Sequence, residues 1–167
     1  SCYKEKVWQL IYEVLSVKML KSIKQQANEY AELLAFLESF WTAMNDWEQH
    51  CNILDGMFEA GELTMKELKS QILSELKTIF SQYCSSTKKP RRSIGAICTY
   101  SSPPDYDPKV DIVELITSRK NGYDVEVRNG AGFKFLFRYY IRFVEGKYQF
   151  VDKRTLLTDD GNSHRGL

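Results

Sequence analysis

The sequence has few of the residues from which enzyme centres are usually built. Its 167 residues include two histidines and four cysteines: His50, His164, Cys2, Cys51, Cys84 and Cys98. No two cysteines form a CxxC pair, which argues against a structural zinc site. The sequence also contains no Walker loop, no GxGxxG string and no spacing that suggests a Ser-His-Asp triad. We therefore predict no catalytic residue, no metal and no cofactor.

Excess charge and long apolar runs are missing as well. A formal net charge of +1 gives the chain no global reason to bind nucleic acid or an anionic membrane. No apolar run is long enough to span a bilayer, and the first residues lack the pattern of a secretory signal. We expect a cytoplasmic protein whose cysteines are structural thiols in a reducing compartment.

What the chain does contain is enough apolar material for a core, arranged in two unlike halves. Hydrophobic residues make up 43% and aromatic residues 13%. Residues 1–87 hold 8 Lys/Arg and 12 Asp/Glu, and residues 88–167 hold 15 and 10. The first half has helical periodicity and is mildly acidic, whereas the second half is strand-like and mildly basic.

Three helices are predicted in the first half. Residues 4–24 have an apolar stripe that we expect to pack on the rest of the protein or on a second copy. In residues 28–51 apolar side chains recur at intervals of three and four residues, which predicts a second helix with Asn28 as its N-cap. After a connection over Asn52 to Leu63, Thr64 and Glu67 match a capping box and predict a helix over 65–84.

The second half begins with a polar loop and a rigid turn. The loop, 85–95, carries four cations around Pro90, and it is either a solvated linker or a contact for phosphate or an acidic partner. Those cations are Lys88, Lys89, Arg91 and Arg92. A short strand is possible over 96–100. The string SSPPDYDP at 101–108 is a turn, since proline fixes φ and aspartate favours turns.

Four strands are then predicted as an antiparallel meander: 110–117, 123–128, 133–144 and 148–155. In the string GFKFLFRYYIRFV every second residue from Phe133 to Phe143 is apolar or aromatic. One face of this strand is therefore either the wall of a pocket or the core that seats the helices. The other face mixes cations with apolar groups at Lys134, Arg138, Tyr140 and Arg142.

Helices followed by an antiparallel sheet of four to five strands give an α+β layout. We expect a helical extension over 1–27, a main domain over 28–157 and a loose tail over 158–167. Asp152 on the last strand is either a base in an aromatic cavity or, as we favour, the partner of a cation on a neighbouring strand.

Several strings in this order resemble the NTF2-fold immunity proteins of bacterial polymorphic toxin systems. They are MNDWEQHCNILDGMFEAGEL, LKTIFSQYCSSTKKPRR, SSPPDYDP and GFKFLFRYYIRFVEGKYQFVDKR, and together they cover about residues 40–156. The sequence departs from the family pattern at Ser85, where Thr is usual, and at Tyr148, where Trp is usual. The resemblance implies an NTF2-like (cystatin-like) fold and a binder that neutralises a cognate toxin.

On this basis we expect an antitoxin that occludes its toxin stoichiometrically and has no enzymatic activity. The expected interface comprises the mixed strand face, the turn and the basic loop: Lys134, Arg138, Tyr140, Arg142, Asp105, Tyr106, Asp107, Lys88, Lys89, Arg91 and Arg92. Two other functions stay open. One is a small-molecule enzyme of isomerase or dehydratase type, and the other is a dimeric scaffold whose mixed face pairs with itself.

Overall fold

A computed structural model describes residues 2–85, 100–130 and 135–157, with the side chains of 12–85, 100–130 and 135–156. Two helices precede four strands in these ranges. The helices are α1 (Cys2–Glu59) and α2 (Met65–Tyr83). The strands are β1 (Ile112–Arg119), β2 (Gly122–Arg128), β3 (Leu136–Val144) and β4 (Lys147–Leu157).

Helix α1 is continuous, so the predictions of a break before Asn28 and of an end near residue 51 were wrong. The segment between the two expected helices contains neither glycine nor proline, and Gln25 donates a hydrogen bond to Glu29 at 3.0 Å across one helical turn. The helix stops only ahead of Gly61, whose φ of +77° leaves the helical region. The chain divides into two compact units, Ser1–Leu37 and Glu38–Leu167.

Helix α2 starts as its sequence predicts. The Thr64 side chain accepts from the backbone N–H of Glu67, and the Glu67 carboxylate accepts from the backbone N–H of Thr64 at 2.9 Å. These reciprocal bonds satisfy two donors that a helix start leaves open, and they confirm the predicted capping box.

The strands form one antiparallel sheet in the order β1-β2-β3-β4, which confirms the expected α+β class. The β1–β2 and β3–β4 hairpins each have a glycine at or beside the turn. Gly122 pairs with Arg142 of β3, and a Cβ at Gly122 would overlap the backbone of Ile141. Glu145 and Gly146 have φ of 50° and 78° and connect β3 to β4. Positions 96–99 of the expected fifth strand lie outside the described residues.

The core of the unit Glu38–Leu167 lies between the inner face of the sheet and the helices. Phe40 of α1 packs against Phe150 of β4 with ring centroids 4.5 Å apart, and Phe150 lies 5.3 Å from Tyr139 of β3. Trp47 is buried and donates its indole N–H to the carbonyl of Ile72 in α2 at 3.2 Å. The expectation that β3 supplies an aromatic wall for the helices is therefore confirmed.

The expectation was wrong at one end of that wall. Tyr139 and Ile141 are buried, but Phe143 is 48% exposed. The last three residues of β3 are all exposed, so the strand extends past the layer that covers its inner face. Phe143 instead packs against Tyr148 across the hairpin, with ring centroids 4.9 Å apart. Phe133 lies outside the described residues.

Thr64→Ala should lower the melting temperature by about 2–4 °C, because the capping bonds at the start of α2 are lost. Thermal unfolding followed by circular dichroism measures the change. Thr78→Ala is the matched control, since Thr78 is also exposed on α2 but donates to the carbonyl of Ser74 within the helix. Equal effects of the two substitutions would contradict a specific role for the cap.

Candidate functional site

The outer face of the sheet is a ladder of cross-strand ion pairs. Arg128 of β2 contacts Glu114 of β1 at 2.5 Å, and Arg138 of β3 contacts Glu126 of β2 at 2.5 Å. At the far edge, the Arg154 guanidinium lies over the ring of Tyr140, 5.1 Å from its centroid. Glu126, Arg138 and Arg154 are aligned across three strands by the register of the sheet. These arginines are therefore held in fixed positions by neighbours on the same face.

Three of the residues predicted from the sequence share this outer face. Arg138 and Tyr140 are half-buried among their partners, whereas Arg142 is exposed. Within the described ranges, Arg142 has no ion-pair or hydrogen-bond partner. It is therefore the guanidinium on this face that is most available to another molecule. Lys134 and the loop cations Lys88, Lys89, Arg91 and Arg92 lie outside the described residues.

A bulge in β1 adds apolar surface to the same face. The register of β1 against β2 shifts between Val113 and Leu115. As a result Leu115 stands opposite Glu126, and Ile112 stands opposite Arg128, both on the outer side. The side chains of Ile112 and Leu115 are 59% and 50% exposed. The outer face thus combines fixed charges, a tyrosine and two bare aliphatic side chains.

A second group of residues fixes the turn that precedes the sheet. Glu48 of α1 is only 2% exposed, and its carboxylate accepts from the backbone N–H groups of Asp105 at 2.8 Å and Tyr106 at 3.3 Å. Burial raises the pKa of Glu48 above 4.5, and the N–H bonds from the turn limit that rise. A buried carboxylate in α1 is therefore the acceptor on which the turn is built.

Three amides complete the attachment of the turn. Asn52 of α1 donates to the carbonyl of Ser101 at 3.1 Å, Asn45 donates to the carbonyl of Tyr106, and Asn129 donates to the carbonyl of Asp105. Asp111 fixes the far end of the turn by accepting from the backbone N–H of Gly130 at 3.0 Å. The backbone of the turn is thus tied both to α1 and to the end of β2.

The three predicted turn residues point in different directions. Asp105 is exposed and accepts from the Ser101 hydroxyl at 2.8 Å, and Asp107 accepts from the backbone N–H of Lys109 at 2.9 Å. The ring of Tyr106 packs edge-on against Phe40 at 5.8 Å, on the inner side of the sheet. Tyr106 is therefore separated by the sheet from the outer-face residues.

Lys153 occupies the inner side of the sheet among aromatic rings. Its ammonium lies 3.8 Å from the centroid of Phe137 and donates to the hydroxyl of Tyr106 at 3.2 Å. Burial alone would lower the pKa of Lys153, but contacts with Tyr106 and Tyr139 outweigh it and the pKa lies above its ordinary value. The Lys153 ammonium is thus held among the rings of Tyr106, Phe137 and Tyr139.

The other groups weighed for chemistry have structural partners. His50 contacts Glu75 of α2 at 3.0 Å, and burial raises the pKa of the Cys84 thiol to about 11, so that it stays protonated at neutral pH. Asp152 lies 3.5 Å from Arg154, two residues further along β4. In the described part of the chain no three metal-ligating side chains cluster, and no helix is long and apolar enough to cross a membrane.

Sequence reasoning assigned no role to Glu48 or Lys153, although the sequence carried a signal for one of them. Glu48 follows Met44 by four residues and precedes Cys51 by three, so it falls on the apolar stripe of its helix. An acid at a core position must find buried donors, which predicts an anchoring role. Lys153 gave no such signal, because it stands between charged neighbours on an edge strand.

Two helices and a four-stranded antiparallel sheet define an α+β protein. The model of the NTF2 fold immunity protein family matches residues 32–164, most of the chain, so the protein belongs to this family. The resemblance noted in the sequence is thereby confirmed. Searches of curated proteins and of solved structures returned no match.

Glu48→Ala should lower the free energy of unfolding by about 3 kcal/mol, because two backbone donors of the turn lose a buried acceptor. Urea denaturation measures the change. Asp46→Ala, an exposed acid in the same turn of α1, is the matched control. Equal stability of the two variants would contradict the anchoring role.

The raised pKa of Glu48 also predicts a pH dependence. The folded protein holds the Glu48 proton to a higher pH than the unfolded chain, so the contribution of Glu48 to stability falls as pH rises from 4.5 through the folded pKa. Glu48→Gln should reduce that fall and keep an acceptor oxygen for the turn. The free energy of unfolding of this variant and of the parent protein is measured from pH 4.5 upwards. If the difference between the two does not change with pH, the predicted pH dependence is wrong.

Proposed function

We propose that this member of the immunity-protein family acts by binding a cognate toxin domain stoichiometrically and covering the surface that the toxin needs. In this proposal the protein works in the cytoplasm of the producing cell, as part of a polymorphic toxin system, and carries out no reaction itself. The observation that carries the proposal is the outer face of the sheet. It presents arginines held in place by carboxylates, beside the half-buried Tyr140 and two exposed aliphatic side chains.

Fixed side chains favour tight binding for a physical reason. An arginine that is free in solution loses rotamer entropy when a partner immobilises it, at a cost of about 0.5–1.5 kcal/mol for each such side chain. Glu126 already restrains Arg138, and Arg154 already stacks on Tyr140. The loss of side-chain entropy when a partner docks on this face is therefore small.

The charges of the face indicate what the partner should offer. Arg138, Arg128 and Arg154 each have a carboxylate beside them, so their positive charges do not need a carboxylate from the partner. Arg142 lacks one in the described ranges. We propose that a carboxylate of the toxin pairs with Arg142 and that apolar groups of the toxin cover Ile112 and Leu115. Aromatic and arginine side chains are the residues that most often dominate binding energy at such interfaces.

The turn and the basic loop are proposed as the margin of the same interface. Asp105 is exposed on a turn whose backbone is anchored by Glu48, so it can offer a fixed carboxylate. Tyr106 and Asp107 would act through the shape of the turn. Lys88, Lys89, Arg91, Arg92 and Lys134 stay predictions from the sequence, with an acidic patch of the toxin as their proposed contact.

Arg142→Glu should weaken the complex with the toxin encoded beside this chain by roughly 10–100-fold and reduce growth rescue on co-expression. Arg142 is exposed, so the substitution should leave the melting temperature unchanged. The affinity is measured by titration calorimetry with a catalytically inactivated toxin. Lys77→Glu, on the exposed side of α2, is the charge-matched control.

The results distinguish an error in the proposed interface from an error in the proposed function. If the parent protein neither rescues growth nor forms a complex, the antitoxin proposal is wrong. If it rescues growth and Arg142→Glu binds as tightly as Lys77→Glu, the outer face is not the interface. Arg138→Glu is a poorer probe, because it also places a second carboxylate against Glu126.

A further inference from the structure

The chain contains two Asn-Gly pairs, which the fold places in different surroundings. Asn121 and Gly122 lie at the turn between β1 and β2, and Asn129 and Gly130 follow the end of β2. In such a pair the backbone nitrogen of the glycine can attack the side-chain amide of the asparagine, because no Cβ crowds the approach. Asparagine is among the thermally labile residues of proteins. The tertiary structure decides which of the two pairs can react.

Asn129 is held on both sides of the bond that would react. The residue is 6% exposed, and its side-chain amide donates to the carbonyl of Asp105. Its backbone N–H donates to the carbonyl of Phe135 at 2.9 Å. The attacking atom would be the nitrogen of Gly130, whose N–H donates to the carboxylate of Asp111 at 3.0 Å. Ring closure would break the bonds to Asp105 and Asp111, so the folded chain protects Asn129.

Asn121 lacks these restraints on its side chain. Lys120 and Asn121 form the loop of the β1–β2 hairpin, and both are exposed. Within the described ranges the side-chain amide of Asn121 has no hydrogen-bond partner. Its backbone carbonyl accepts from the N–H of Phe143 at 3.1 Å, which holds the loop against β3. Gly122 pairs with Arg119 at the last position of the β1–β2 ladder, where strand pairs open most readily.

We propose that Asn121 is a site of spontaneous deamidation in the folded protein and that Asn129 is not. The nitrogen of Gly122 loses its proton to base and bonds to Cγ of Asn121, and the side-chain amide leaves as ammonia. The product is a succinimide ring. Water then opens the ring, giving aspartate if the bond from Cγ to nitrogen breaks and isoaspartate if the bond from the backbone carbonyl carbon breaks. The net change consumes water and releases ammonia, so it needs no oxidant and no cofactor.

The structure leaves little room for the isoaspartate product. In isoaspartate the chain runs through Cγ, so a methylene is added to the backbone immediately before Gly122. Gly122 lies so close to β3 that a Cβ placed on it would overlap the carbonyl oxygen of Ile141. We therefore expect the pairing of Gly122 with Arg142 and the bond from Phe143 to Asn121 to be disrupted. Deamidation thus loosens the end of the β2–β3 ladder that carries Arg142.

Incubation of the folded full chain in mildly alkaline buffer tests the site without any toxin, so the result is independent of the proposed interface. Trypsin cuts after Lys120 and Arg128, which places the two asparagines in separate peptides for mass spectrometry. Asn121 should convert at least about tenfold faster than Asn129. The chain unfolded in urea should convert at both positions, because the bonds that protect Asn129 are then lost. The proposal is overturned if Asn121 stays intact in the folded chain while the unfolded chain reacts, or if the two asparagines react at equal rates in the folded chain.

Each conversion replaces a neutral amide with a carboxylate. It therefore lowers the formal net charge of +1 by one, and isoelectric focusing separates the product from the parent protein. The isoaspartate form can be purified in this way from the incubated chain for the second measurement.

Hydrogen exchange of the Phe143 amide tests the consequence for the hairpin. Asn121→Asp is the matched control, because it has the charge of the product and a normal backbone. Exchange of the Phe143 amide should be at least about tenfold faster in the isoaspartate form than in the parent protein, and it should be unchanged in Asn121→Asp. Equal protection of this amide in all three proteins would overturn the expected loosening of the β2–β3 ladder.

Discussion

The buried carboxylate of Glu48 is the interaction on which the rest of the main unit depends. It joins α1 to the turn before the sheet by accepting from two consecutive backbone N–H groups. This turn places Tyr106 against Phe40 and Lys153, on the inner side of the sheet. A carboxylate removed from water this far is tolerated only because backbone donors replace its hydration.

The two faces of the sheet carry different kinds of side chains. On the inner face the rings of Tyr139 and Phe150 pack together, and the ammonium of Lys153 lies over the ring of Phe137. The outer face is kept polar by arginine–carboxylate pairs that follow the strand register. The inner face thus contributes to an aromatic core, and the outer face carries paired charges.

Much of this could be predicted from residue patterns. The capping box at Thr64, the hairpins at Gly122 and Gly146 and the period of two in β3 depend on local geometry, so the sequence alone located them. The break expected before Asn28 was wrong because a polar stretch without glycine or proline can stay helical. The core expected at Phe143 was wrong because alternation shows which face a residue is on, but not how far the covering layer extends.

The sequence by itself determined the α+β class, the alternation of β3 and the family to which the chain belongs. Only the tertiary structure decided that Tyr106 and Arg138 lie on opposite sides of the sheet, since chain order does not show which face a turn approaches. It also decided that Glu48 anchors the turn and that Lys153 lies among rings, because both contacts join segments more than 45 residues apart. Such long-range partners are set by packing, which no local pattern encodes.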